Sequence, residues 1–103
     1  MEKIAIIGAG LIGRAWAIVF ARAGHPVKLW DSDASAVANA LRLIEDAARE
    51  LRSVGLINED PRSVSARLTA VSTLAEAVHD ADYVQENTAE RLDIKRQVYA
   101  RRE

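Results

Sequence analysis

The chain has 103 residues, half of them hydrophobic and 28% charged, with a formal net charge of −1. That composition suits one globular domain with a modest core and excludes a disordered segment. The near-neutral balance offers no basic field for nucleic acid or anionic lipid. The absence of cysteine removes disulfides, cysteine-based zinc sites and a thiol nucleophile. The N-terminal apolar run is too short for a signal core or a membrane span, so a cytoplasmic protein without membrane contact is expected.

Residues 3 to 7, with Ile4, Ile6 and Ile7, form a short apolar run ended by glycine. This predicts a strand buried on both faces, as in a parallel sheet. Residues 11 to 23 change period: Ile12, Trp16, Val19 and Ala23 fall on one helical face, which is expected to be the buried one, with Trp16 in the core. Gly24-His25-Pro26 stops that helix, and Val27–Trp30 reads as a second strand closed by Asp31. Strand, helix and strand with short connections make a βαβ unit.

Ser32 or Asp33 caps the next helix, 34 to 54, whose apolar face carries Val37, Leu41, Ile44, Ala48, Leu51 and Val54. Glu45 and Arg49 make a favourable i, i+4 pair on its wet side, and Gly55 ends it. Residues 56 to 67 read as a loop with a short turn at 63 to 67. A third strand is expected at 68 to 71, a short helix at 73 to 78, a fourth strand at 82 to 86, and a further helix from Arg91. Strands alternating with helices predict an α/β fold: a Rossmann-type doubly wound parallel sheet of about four strands, order 3-2-1-4, over residues 1 to 103 as one domain. In that order the first strand ends at the crevice where ligands bind.

Gly8, Gly10 and Gly13 fit G-x-G-x-x-G between strand and helix. Gly8 permits the tight turn, Gly10 lets a pyrophosphate approach the backbone, and Gly13 lets the helix lie close to the sheet. The amides from Gly10 through Leu11 to Ile12 then face the phosphates at the positive end of the helix. Arg14 is either solvated or near phosphate. Asp31 lies 18 residues after Gly13, at the end of the second strand. A carboxylate there accepts hydrogen bonds from the ribose hydroxyls of the adenosine half and repels a 2′-phosphate, which favours NAD over NADP. The competing role for Asp31 is a helix cap. His25 and His79 fall in connections and suit surface positions better than catalysis. No metal-ligand spacing is present.

Ile4 to Ala17, with Lys28-Leu29-Trp30-Asp31, resembles the N-terminal NAD-binding domain of the 3-hydroxyacyl-CoA dehydrogenase family. Tyr83 to Lys95 is similar to that family's V-x-E-x-x-x-E-x-x-x-x-K signature. The stretch Gly10 to Ala17 is most similar to the lambda-crystallin and L-gulonate 3-dehydrogenase branch, and carnitine dehydrogenases are similar. The resemblance implies backbone contacts to NAD at Leu11 and Ile12, Asp31 at the adenosine ribose, and Asn87, Glu90 and Lys95 near the nicotinamide half. It also implies hydride transfer between NAD and the C3 hydroxyl of a 3-hydroxy acid or 3-hydroxyacyl-CoA. The family's catalytic histidine, glutamate, serine and asparagine, and its helical substrate and dimerisation domain, are then expected beyond Glu103, so no catalytic residue is assigned here. The family's CoA-contacting serine and lysine fall by counting at Ala47 and Val54, which favours a small polar acid over a CoA thioester. A homo-oligomer is expected, through an open edge of the fourth strand or the apolar face of the last helix. The alternative function is a non-catalytic NAD-binding or crystallin-like structural module.

Overall fold

The computed structural model describes residues 2–87. They form a four-stranded parallel sheet of β1 (Ile4–Ile7), β2 (Val27–Trp30), β3 (Leu68–Ala70) and β4 (Tyr83–Glu86), in the order β3-β2-β1-β4. The helices between them are α1 (Leu11–Arg22), α2 (Ala34–Ser53), α3 (Pro61–Ser65) and α4 (Leu74–Val78). The expected strand order is present; within the stretch 56 to 67, expected as a loop with a short turn at 63 to 67, the chain instead forms α3, started by Pro61 and capped by the Asp60 side chain. The helix expected from Arg91 lies outside the described residues.

β1 is the central strand. It pairs with β2 on one side and β4 on the other, and all four of its residues are buried. This is why an uninterrupted apolar run, rather than an alternating one, encodes it. The core divides across the sheet. Ile4, Ile6, Val27 and Leu29 pack with α1, α2 and α3, while Ile7 packs with Ala77 and Val78 of α4 and with half-buried Trp30, Val71 and Val84. β4 pairs only with β1, so its outer backbone edge has no strand on it among the described residues.

The buried face of α1 differs from the predicted one. Ile12, Trp16 and Val19 are exposed, whereas Gly13, Ala17 and Ala21 are buried. The helix meets the sheet through its smallest residues, because the glycine turn brings it too close for larger ones. Trp16 therefore lies outside the core, 41% exposed and stacked on Phe20 with 5.8 Å between ring centroids. α2 shows a smaller shift: Val37, Ala40, Ile44 and Ala48 are buried, Leu41 and Leu51 flank them, and Val54 is exposed beyond the helix end. Gly55 follows at φ +80, the left-handed turn that ends a helix. The predicted Glu45–Arg49 pair is present.

The loop after α2 is held by arginines. Arg52 donates to the carbonyls of Ile57 and Asn58, and Arg22 to that of Leu56. Arg67 donates to both carboxylate oxygens of Glu59 and to the carbonyl of Ala21, tying the loop and the start of β3 to the end of α1.

Candidate functional site

Three neighbouring strands end in register. Ile7 is level with Trp30 on one side and Glu86 on the other. The next residues are Gly8, Asp31 and Asn87, so residues far apart in sequence form one row along the crevice. The glycine turn, the carboxylate and the amide that sequence reasoning singled out are brought together there.

Each member of the row is fixed by the backbone. Gly8 has φ +101, in the left-handed region, and its amide donates to the carbonyl of Trp30 at 2.8 Å. The Asp31 carboxylate accepts from the amide of Ala9 at 2.7 Å and from the amide of Asp33 at 2.8 Å. Asp31 thus clamps the glycine turn and orders the start of α2 at once. The cap of α2 is Asp33, whose side chain accepts from the amide of Ser35. The Ser35 hydroxyl and amide hold the Asp33 carboxyl below its ordinary range. A carboxylate has about four lone-pair sites. The two clamping bonds therefore leave Asp31 acceptors for a diol. Asn87 donates its main-chain amide to the carbonyl of Ile7 at 2.9 Å, and its side-chain amide reaches the same oxygen at 3.2 Å.

The glycines differ in what they permit. A Cβ on Gly13 would lie 1.8 Å from the Gly8 carbonyl oxygen and 3.3 Å from the Asn87 side-chain nitrogen. Gly13 is where α1 presses against the turn. A Cβ on Gly10 would meet nothing within 4 Å. The protein itself thus tolerates a side chain at Gly10; the open space above it is where an incoming group would sit. α1 carries no side-chain cap, whereas Asp33, Asp60 and Thr73 cap the other three described helices. The first-turn amides of α1 stay available at its positive end, with no acidic residue in that turn to compete. Such a helix start favours an anion, and the residues present fit the diphosphate of a dinucleotide.

A cavity of about 420 Å³ opens beside Asp31, walled by Trp30, Ser32, Val37, Leu41 and Ser72 among others. The Trp30 indole N–H donates to the Ser72 carbonyl at 3.4 Å. Glu90 and Lys95 lie outside the described residues. Ala9 was missed by sequence reasoning: its amide anchors the carboxylate, and no side-chain pattern signals a main-chain donor. His25 sits at the opposite end of the sheet, where Pro26 bonds to the first residue of β1, and His79 follows α4. Among the described residues, no cluster of three or more candidate ligands could hold a metal, and no helix is long and apolar enough to cross a membrane.

A parallel sheet of this order, with a glycine turn, an open helix start and a carboxylate after the second strand at its crevice, defines a dinucleotide-binding domain of the Rossmann class. Residues 3–103 match the family model described as "3-hydroxyacyl-CoA dehydrogenase, NAD binding domain". The chain belongs to that family, as its NAD-binding domain. It is 41% identical over 101 residues to an L-carnitine dehydrogenase of Streptomyces griseus, covering 98% of this chain and 29% of that protein. It is 37% identical over 100 residues to a lambda-crystallin homolog of Rattus norvegicus, covering 94% of this chain and 31% of the relative. Among solved structures it matches 3-hydroxybutyryl-CoA dehydrogenase from Escherichia coli K12, with a TM-score of 0.82 and 31% identity, over 96% of this chain and 21% of that one. The chain spans less than a third of the length of these relatives.

Proposed function

We propose that this domain is the cofactor half of an NAD-dependent 3-hydroxy-acid dehydrogenase. The adenosine ribose sits at Asp31, the diphosphate over Gly10, Leu11 and Ile12, and the nicotinamide half toward β4 and Asn87, with Glu90 and Lys95 completing that end. Bound NAD supplies the hydride acceptor. The residues of this chain bind and orient it, while the groups that handle the substrate proton belong to a separate helical domain. The observation that carries this reading is the register of the three strand ends, which sets Gly8, Asp31 and Asn87 in one row.

The substrate preferred is a small polar 3-hydroxy acid, processed in the cytoplasm by a homo-oligomer. The names of the carnitine dehydrogenase and lambda-crystallin relatives support it, as do Ala47 and Val54 on and after α2. The structural likeness to a hydroxybutyryl-CoA dehydrogenase favours a second reading, an acyl-CoA substrate in fatty-acid metabolism. Calorimetric titration of the chain with NAD and NADP, repeated on Asp31→Ala, tests the cofactor assignment. NAD is expected to bind at least about tenfold more tightly, consistent with roughly 1–4 kcal/mol of carboxylate–phosphate repulsion near a protein surface. Equal affinity for both cofactors would sink the role of Asp31.

A further inference from the structure

α1 has a second apolar face, which the sheet does not use. Ile12, Trp16 and Val19 follow one another on it at spacings of four and three, and all three are exposed. Half-buried Phe20 stands beside them, with its ring centroid 5.8 Å from that of Trp16 and 5.6 Å from that of Tyr83 on β4. Three rings thus run in a row from the helix onto the outermost strand of the described sheet.

α2 shows what a solvated helix face is in this chain. Its outward positions carry Arg42, Asp46, Arg49 and Glu50, all exposed, with Arg49 paired to Glu45 and Asp46. α1 has two charged residues in twelve, Arg14 and Arg22. Arg14 lies on the α2 side of the helix, and Arg22 donates to the carbonyl of Leu56 beyond α2. The stripe itself holds no charge. A helix that is apolar on both sides is one that packs on both sides, and exposed Trp and Tyr are the side chains that dominate contact surfaces.

Its size and charge select the occupant. Ile12, Trp16, Val19 and Tyr83 are 61%, 41%, 46% and 42% exposed and offer on the order of 100 Å² each. With the atoms flanking them this makes about 500 Å² on each chain. Two such faces together bury about 1,000 Å², the lower limit for a specific interface. A two-fold pair sets one patch against itself, which an uncharged stripe allows without like charges meeting. A partner recognised by its charge has nothing to pair with on this stripe.

We propose that the Ile12–Trp16–Val19 stripe, with Phe20 and Tyr83, is the docking surface for a second copy of this chain. The two α1 helices lie antiparallel about an axis near Trp16 and Val19, which keeps their positive starts apart. The contact is made through α1, not through the outer edge of β4. The cofactor reading uses only the main-chain amide of Ile12, and the pairing does not depend on it.

The test is sedimentation velocity of the 103-residue chain from ~10 μM to ~1 mM, since a contact of this size binds more weakly than about 1 μM. Amide shifts are followed over the same range in nitrogen–proton spectra. The sedimenting mass should rise toward that of a dimer, with concentration-dependent shifts centred on Trp16, Val19 and Phe20. Val19→Glu and Val19→Lys, at an exposed position, should each weaken association at least tenfold while melting like wild type. An equal mixture of the two should recover it, because opposite charges then meet across the axis. Trp16→Ser should weaken it as well. A clean monomer at the highest concentration would overturn the proposal and leave the stripe to another partner. Association undiminished in both charged variants would overturn it too, by moving the contact to the edge of β4.

Discussion

Gly10 and Gly13 stand three residues apart in one motif, yet an added methyl group should have opposite consequences at the two. At Gly13 the new Cβ would fall 1.8 Å from the carbonyl oxygen of Gly8, where ordinary contact begins at 3.4 Å. The overlap of about 1.6 Å is with backbone, so no side chain can rotate away and α1 must lift from the sheet. Overpacking typically costs about 1–3 kcal/mol, occasionally more, and this contact belongs at the upper end. Alanine's better helix propensity returns up to ~1 kcal/mol. A net loss of about 2 kcal/mol lowers the melting temperature of a domain this size by roughly 8–16 °C. At Gly10 the Cβ meets nothing, and the residue already has φ −75. There the cost is only that of a poorer helix cap, about 0.5–1 kcal/mol, or a few degrees. Its methyl group, however, occupies the space proposed for the diphosphate, and NAD affinity should fall at least about tenfold, equivalent to ~1.4 kcal/mol. Thermal unfolding by circular dichroism and NAD titration of both variants settle the matter. A Gly13→Ala protein that melts like wild type would refute the close-contact account, and a Gly10→Ala protein that binds NAD normally would refute the placing of the diphosphate there.

Asp31→Asn keeps the size of the side chain but sets an NH₂ group against the amide of Ala9 or Asp33. It should lower both melting temperature and NAD affinity, and a loss of affinity with stability untouched would show that the clamp on the glycine turn is unimportant. Arg67, hydrogen-bonded to Glu59, holds that carboxyl below its ordinary range. The folded state therefore gains stability from the pair above the ordinary carboxylate range and loses it as the pH falls through the lowered value. Acid unfolding of Glu59→Gln should show a shallower pH dependence below about pH 4.5 than wild type; an identical profile would refute the linkage. Ala17→Leu, at a fully buried position facing the sheet, should cost about 1–3 kcal/mol. Trp16→Ala, at an exposed one, should cost well under the ~3–5 kcal/mol of a buried tryptophan. Denaturant midpoints in the reverse order would restore Trp16 to the core.

Much of this architecture was legible because local rules and global fold agree. An uninterrupted isoleucine run marks a strand with neighbours on both sides, and the spacing from Gly13 to Asp31 is the length of one helix and one strand. The face of α1 was not legible from large apolar side chains, because they mark what remains to be covered rather than what meets the sheet. The signal for the true face was the small-residue series Gly13, Ala17 and Ala21, four apart, which only gains meaning once Gly13 is pressed against the Gly8 carbonyl. The bond from Ala9 to Asp31 spans 22 positions and uses a main-chain donor, so no residue type announces it. The Glu59–Arg67 clip was hidden for a related reason: charge pairs are read by helical spacing, and these two are brought together by a loop.

The displacement of Trp16 from the core has an optical consequence. The chain carries two indoles. Trp30 lies in the wall of the cavity beside Asp31, while Trp16 lies on the outer face of α1. With Trp16→Phe the remaining emission reports occupancy of the crevice, and with Trp30→Phe it reports whatever comes to cover α1. One small domain thus carries separate fluorescent gauges for its cofactor and for its neighbours.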